Sequence, residues 1–358
     1  MIYVLLLIIC LVIFYNKKGL PIFLYHQVNH LSNVNGDLFE EHLKILKNKK
    51  MKTITLSEYG EGKTPKNSIL LTLDDGYYDN YKNVFPLLKK YNMKATIFLN
   101  TLYIGNEREN TEIEISGMGN YKAMKNYVEC GNGITDQYMT WNEIKEMSES
   151  GLVDFQCHSH KHVAIFKDIK LEGFFKGDEK DSTDMYLYGE VKEGYPKFPK
   201  RGEYSGPGII IKREFFDIFR EYYIKTLKEL DEKEAINLGN KFIEENKDEY
   251  FIFETESDFE NRIKKELLLN KNLIEKNLNK KVQYFCWPWG HRSKKAIEIM
   301  EKMGIKGFIT TKKGTNSYNP NWKMIRRIEL RKYTVEKFKI NLFLGRNLIL
   351  GKIYGWVS

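Results

Sequence analysis

The sequence predicts an α/β protein whose parallel strands form a (β/α) barrel or an open parallel sheet, and three observations lead there. Apolar runs of strand length recur at residues 20–28, 53–56, 68–73, 94–99, 152–155, 282–287 and 306–310. Segments with helical spacing stand between several of them, at 78–91, after Thr140 and at 294–303. The polar clusters Asp74-Asp75 and His158 to His162 each follow the end of an apolar run, and in both folds chemistry gathers at the C-terminal ends of strands.

Taken in order, residues 1–15 are an unbroken apolar stretch closed by Asn16-Lys17-Lys18. It is short for a full span of about 20 residues, but flanking side chains can snorkel. No alanine precedes Ala95, so the small-residue cleavage pattern of a signal peptide is missing and an uncleaved anchor is expected. The lysines after the stretch favour retaining that side in the cytoplasm, a bias that a large domain can override, so the face of the membrane stays open. The runs at 68–73 and 94–99 flank a helix marked by Val84, Leu87 and Leu88, which makes a β-α-β unit. Residues 103–138, rich in Gly, Asn and charge, are expected to form a long loop over the site. Thr140-Trp141-Asn142-Glu143 fits a capping box, and the helix it starts runs to Ser150-Gly151 before the strand that delivers His158. A helix at 294–303 stops at Gly304.

These breaks divide the chain into an anchor or uncleaved signal at 1–18, a first barrel part at 19–166, and a charged, largely helical inserted subdomain at 167–280. A second barrel part follows at 281–335, and 336–358 is a C-terminal segment. That last segment mixes Leu, Ile, Phe and Trp with Lys339, Arg346 and Lys352, and either docks on the domain or lies on a membrane surface.

With 358 residues the chain can bury a large core without a disulfide scaffold. Cys10, Cys130, Cys157 and Cys286 show no CxxC spacing and read as buried thiols. The net charge of +9 is spread along the chain and interleaved with acids, which argues against nucleic acid as a partner.

His158 and His162 stand four apart, so a helical turn or tight loop aims both rings at one point. Asp74 and Asp75 repel one another unless a cation or shared proton relieves them; an Asx turn or helix cap is the plainer role for such a pair. Two neutral imidazoles and one carboxylate form a ligand set for a divalent transition ion with a position left for water. A two-metal phosphoesterase needs more carboxylate ligands than these segments supply.

The segment Leu71-Thr72-Leu73-Asp74-Asp75-Gly76 resembles the Thr-Phe-Asp-Asp-Gly motif of the polysaccharide deacetylases, the NodB-homology or carbohydrate esterase 4 family. His158-Ser159-His160-Lys161-His162 resembles that family's His-Ser/Thr-x-x-His motif. Tyr25-His26-Gln27-Val28, Phe285-Cys286-Trp287-Pro288-Trp289-Gly290 and Ile325-Arg326-Arg327-Ile328 look like elements of its exopolysaccharide N-deacetylase branch. The resemblance covers about residues 20–162 and 281–330 and leaves the insertion unmatched.

It implies a distorted (β/α) barrel, to which the residues themselves add an inserted helical subdomain and an N-terminal membrane anchor. It implies one divalent ion, usually zinc, held by Asp75, His158 and His162, with Asp74 as general base. Tyr77 would offer a backbone N–H to the oxyanion, and Trp287, Pro288, Trp289 and Gly290 would wall a sugar groove. His26 resembles the position of the catalytic acid; a buried, hydrogen-bonded structural histidine is the other reading. The family's Arg-x-Pro-Tyr motif has no arginine here, so Arg326 or Arg327 is expected to take its place, with Arg327 also among the substrate-binding groups. The family's Leu-x-His motif has no counterpart. Arg201, Tyr195 and Tyr204 of the insertion either reach substrate or pack a loop.

The function expected is hydrolysis of the N-acetyl group of a polysaccharide or glycan precursor, a carbon–nitrogen hydrolase of carbohydrate metabolism at the cell membrane. The alternatives are the same reaction on a lipid-linked sugar or peptidoglycan, and a catalytically inactive carbohydrate-binding barrel.

Overall fold

The computed structural model describes residues 18–108, 113, 115–117, 119–329 and 334–357. Strand β1 (Ile22–Tyr25) is buried along its whole length, as a parallel strand covered on both faces must be. Helix α1 (Gly36–Asn48) follows, its Leu38 amide capped by the Asn35 side chain. The sequence reading passed over this helix; its buried stripe is Phe39, His42, Leu43 and Leu46, and a histidine in the stripe dilutes the apolar pattern. Next come β2 (Lys52–Thr53), α2 (Leu56–Gly60) and β3 (Ser68–Leu73). The helix expected at 78–91 opens with a π turn at Asn80–Val84 and continues as α3 (Phe85–Tyr91). Pro86 near the start of α3 has no N–H to give the preceding turn, which the wider π turn accommodates.

After β4 (Ala95–Leu99), the stretch expected to be all loop contains α4 (Gly119–Cys130), which carries Cys130 exposed rather than buried. Helix α5 (Trp141–Glu149) forms the predicted capping box, Thr140 and Glu143 each satisfying the other's amide, and leads into β5 (Val153–Cys157).

The insertion combines helices with short strands that the sequence reading did not mark. It holds β6 (Ala164–Phe166), β7 (Gly173–Phe174), α6 (Ser182–Tyr188), β8 (Pro196–Lys197), β9 (Lys200–Gly202) and β10 (Ile209–Ile211). Then come α7 (Glu214–Tyr222), α8 (Glu232–Tyr250) and β11 (Phe251–Phe253). Strands β11, β10, β6 and β9 pair as an antiparallel sheet, and Phe166, Phe198, Phe215, Phe216, Phe219 and Phe251 fill a separate core beside it. Strands this short leave little periodicity to read.

Helix α9 (Glu256–Leu278), expected within the insertion, belongs to the barrel: Phe259, Ile263, Leu267 and Ile274 form one stripe buried in the barrel core. The barrel closes with β12 (Tyr284–Cys286), α10 (Lys294–Lys302), β13 (Gly307–Lys313) and β14 (Ile325–Glu329). Seven parallel strands run in the order β1-β14-β13-β12-β5-β4-β3, and β1 pairs with β3 to shut the ring, Phe23 beside Leu71. Of the two sheet topologies left open by the sequence, this is the barrel.

Helices α11 (Val335–Gly345) and α12 (Leu348–Val357) end the described chain, and Phe338 of α11 stacks on His42 and packs on Phe23. The anchor expected at 1–18 lies outside the described residues apart from Lys18, as does Cys10. Among the described residues no helix is long and apolar enough to cross a membrane.

Insertion and barrel meet at a buried ionic cluster. Lys161 pairs with Glu266 at 2.6 Å, and Arg262 donates to both Glu254 oxygens at 2.7 Å and to the Glu203 carbonyl at 2.7 Å. Burial and the neighbouring Glu266 carboxylate push the Glu203 acid well above its ordinary value of 4.5. The folded state therefore holds a proton on Glu203 that the unfolded chain releases once pH exceeds about 4.5, so stability falls as pH rises through this window. Glu203→Gln is expected to flatten that decline, by at most about 1.4 kcal/mol per pH unit, in urea titrations at pH 5 to 8.

Candidate active site

The C-terminal ends of β3 and β5 bring the two polar clusters together. The Asp74 amide donates to the Tyr25 carbonyl at 3.1 Å, fixing the end of β3 beside β1. Asp75 then turns with φ 78 and Gly76 with φ 86, and a Cβ on Gly76 would come within 2.8 Å of Leu99 Cδ2, so the turn needs glycine there. The second turn holds Ser159 at φ 82 and His162 at φ 56, with the His162 amide donating to Ser159 Oγ at 2.8 Å. Positive φ costs of order 1–3 kcal/mol for each such residue, and this strain concentrates where side chains must converge.

Converge they do. His158 Nε2 lies 3.4 Å and His162 Nε2 3.7 Å from Asp75 Oδ1, and the ligand atoms of all three fall within 4.8 Å of one another. Ligand bonds of roughly 2.1 Å at tetrahedral angles separate ligand atoms by about 3.4 Å, so the three atoms fit around one ion. His158 Nδ1 is hydrogen-bonded to the Cys286 carbonyl at 2.8 Å, which directs the proton to Nδ1 and leaves Nε2 as the donor atom for a metal. Burial lowers His162 to about 4 against the pull of Asp75, so its ring is neutral at pH 7. Asn100 at the end of β4 donates to Asp75 Oδ1 at 2.9 Å and orients the carboxylate.

Asp74 lies beside this set with its oxygens held elsewhere. Arg327 of β14, wholly buried, donates Nη1 to Asp74 Oδ1 at 2.7 Å and Nη2 to Oδ2 at 2.8 Å, a bidentate pair. Burial alone would raise the Asp74 carboxyl; the Arg327 charge, His158 and the two hydrogen bonds overcome it and hold the acid well below the carboxylate range. Asp74 Oδ2 also lies 3.9 Å from His158 Nε2 and 4.0 Å from His26 Nε2, and the His26 side chain is 42% exposed. His26 is thus no buried structural histidine: it stands at the open side of the site facing the carboxylate.

Residues 61–184, which include both motif segments, match the family described as polysaccharide deacetylase. That segment of the chain is similar to the polysaccharide deacetylases. Over 160 residues the chain is 37% identical to YxkH of Bacillus subtilis strain 168, which bears a polysaccharide deacetylase name, covering 41% of this chain and 56% of that one. It is 25% identical over 228 residues to the poly-beta-1,6-N-acetyl-D-glucosamine N-deacetylase of Staphylococcus aureus strain MRSA252, covering 62% of this chain and 66% of the relative. The matches thus span under two thirds of either relative. The de-N-acetylase structure from Aggregatibacter actinomycetemcomitans superposes with a TM-score of 0.58 at 15% identity, over 90% of this chain and all of that one, a likeness of fold.

The barrel surrounds this polar centre with a cavity of about 470 Å³. Of the residues expected at the site, His26, Asp74, Asp75, Tyr77, His158, His162, Trp287 and Trp289 line it. Pro288 and Gly290 are buried and shape the turn that presents Trp289, whose ring meets His162 edge-on at 4.3 Å. Arg327 is committed to Asp74 and does not line the cavity, so it positions that carboxylate rather than facing the cavity. Arg326 donates to the Lys313 carbonyl instead.

The three residues of the insertion that were candidates for substrate contact lie elsewhere. Arg201 donates to the Pro207 carbonyl at 2.6 Å, Tyr195 to Asp217 at 2.7 Å, and Tyr204 is buried edge-on against Trp287 and Phe285. What the insertion does bring to the wall is Asp181, Ser182 and Thr183 at the start of α6. The stretch expected as a loop brings Asn120, which accepts from Tyr138 Oη at 2.9 Å and donates to Tyr77 Oη at 2.8 Å. Asn100, at a strand end beside the Asp75 turn, was legible from position; Asn120 and Asp181 sit in stretches where no periodicity marks them.

Proposed function

We propose that the chain is a metal-dependent N-deacetylase acting on an N-acetylated polysaccharide or its glycan precursor, releasing acetate and a free amine. The observation that carries this reading is the division of labour between adjacent carboxylates: Asp75 faces the Nε2 atoms of two imidazoles, while Asp74 is clamped ionised by Arg327. Asp75, His158 and His162 would hold the ion, zinc on the strength of two nitrogen ligands and one oxygen ligand. When bound, the ion supplies polarisation of the amide carbonyl and acidification of water.

The side chains do the rest. Asp74 accepts a proton from the water that attacks the acetyl carbon. His26, 4.0 Å from Asp74 and open to solvent, delivers a proton to the departing nitrogen, so water and amide become acetate and amine. The Tyr77 turn offers its backbone N–H to the oxyanion. Trp289, 40% exposed at the rim, gives a sugar ring a face to stack on. Trp289→Ala is expected to lower kcat/KM about tenfold, mainly through KM, in steady-state acetate release.

The acceptance of a polysaccharide follows the similarity to the staphylococcal enzyme, whose name specifies a poly-N-acetylglucosamine. A lipid-linked sugar or peptidoglycan fits the same chemistry. The apolar residues 1–15 serve in this reading as a membrane anchor, on a face left open. The test is acetate release from N-acetylglucosamine oligomers, peptidoglycan fragments and lipid-linked sugars, with chelator and after zinc is restored. Release that chelator abolishes and zinc restores supports the proposal; no release from any substrate with zinc bound leaves a carbohydrate-binding barrel as the better account.

A further inference from the structure

Where the chain enters the barrel, the Gly19 amide donates to the Arg346 carbonyl at 2.8 Å and Lys18 bridges Asn347, so the start of β1 is stitched to the junction of α11 and α12. Lys18, the first described residue after the apolar stretch 1–15, therefore sits beside these two helices. Their inward sides dock, but their outward sides are apolar as well. Phe343 is 68%, Trp356 85% and Val357 84% exposed, with Ile340 and Ile353 also open. A groove of about 610 Å³ runs from Phe343 and Leu350 past Lys18 to Asn67 at the foot of β3.

Such a face is unusual for a surface left in water. Helix α12 carries no acidic residue, and across both helices Lys337, Lys339, Arg346 and Lys352 stand against the single acid Glu336. Apolar side chains with a nearly fully exposed tryptophan, set among basic residues, are what an interfacial helix offers to anionic headgroups and the acyl boundary beneath them. We propose that α11 and α12 form a second membrane contact, lying on an anionic lipid surface beside Lys18, which follows the apolar stretch 1–15 in sequence. Each basic residue at such a surface contributes about 1 kcal/mol, and one apolar segment of marginal length is thereby joined by a second attachment. The proposal stands independently of the deacetylase reading.

Trp356 reports on this face, because replacing it with Phe removes its share of the emission while the other tryptophans stay. The full chain is compared with Trp356→Phe in the presence of vesicles of dibrominated phosphatidylcholine with phosphatidylglycerol, and of phosphatidylcholine alone, with iodide as the aqueous quencher. The expected result is a Trp356 component quenched by the brominated lipid and shielded from iodide about threefold, more strongly with phosphatidylglycerol present. Phe343→Ser with Ile353→Ser should weaken both effects without altering the circular dichroism. A Trp356 component that iodide still reaches on the anionic vesicles overturns the proposal. So does shielding already complete without vesicles: independence of protein concentration would then mean that residues 1–17 cover the face, and dependence on it that a second copy does.

Discussion

Asp74→Asn is expected to lower kcat for acetate release by about 10²- to 10⁴-fold while leaving metal content unchanged. The amide is nearly isosteric, so its oxygen can still meet one Arg327 N–H, but it cannot take a proton from water. Asp75→Ala and His162→Ala should fail differently, losing the ion first and activity with it, since each removes one of three ligand atoms packed within 4.8 Å. The two outcomes separate a base from a ligand although the residues adjoin. Measuring bound zinc and kcat on the same preparations checks both; equal loss of metal in Asp74→Asn and Asp75→Ala would show that the carboxylates share one role.

Arg327→Met should move the acidic limb of the pH–rate profile upward. In the parent chain Asp74 is held below the carboxylate range despite its burial, because Arg327 compensates it at 2.7 and 2.8 Å. Remove the guanidinium and burial is opposed chiefly by the nearby His158 and His26, so Asp74 becomes protonated at higher pH than in the parent chain. The sign for stability follows. A depressed carboxylate stabilises the fold above its unfolded value and loses that contribution as pH falls, so the variant loses stability at neutral pH, by about 3–5 kcal/mol for a broken buried pair. Arg327→Lys keeps charge without the fork and should fall between the two. A pH–rate profile with an unmoved acidic limb in Arg327→Met would mean that Asp74 is not the base.

The barrel was legible because its strands are apolar on both faces and its helices carry caps that sequence chemistry announces, as at Thr140 and Glu143. Asp74, Asp75, His158 and His162 were legible because scarce residue types cluster at strand ends, where a parallel barrel presents them. The short strands of the insertion were not: at two or three residues, β7 and β9 have no period to detect, and the antiparallel pairing is set by contacts far apart in sequence. Side-chain direction was beyond reach as well. Arg327 and Arg326 are neighbours on one strand with opposite facing, and only the register of β14 against β1 and β13 turns the first toward Asp74 and the second away. For the same reason Arg201 and Tyr195 looked like substrate contacts, while the residues that reach the cavity, Asn120 in α4 and Asp181 at the cap of α6, lie in stretches the sequence does not single out.

The central claim is that Asp75, His158 and His162 hold a single divalent ion beside the ionised Asp74. Its most direct test is a zinc titration of the metal-stripped chain followed by calorimetry, with Asp75→Ala measured in parallel. One tightly bound zinc per chain, abolished in Asp75→Ala and retained in Asp74→Asn, is the predicted result. Two ions per chain, or binding that survives Asp75→Ala undiminished, would contradict it.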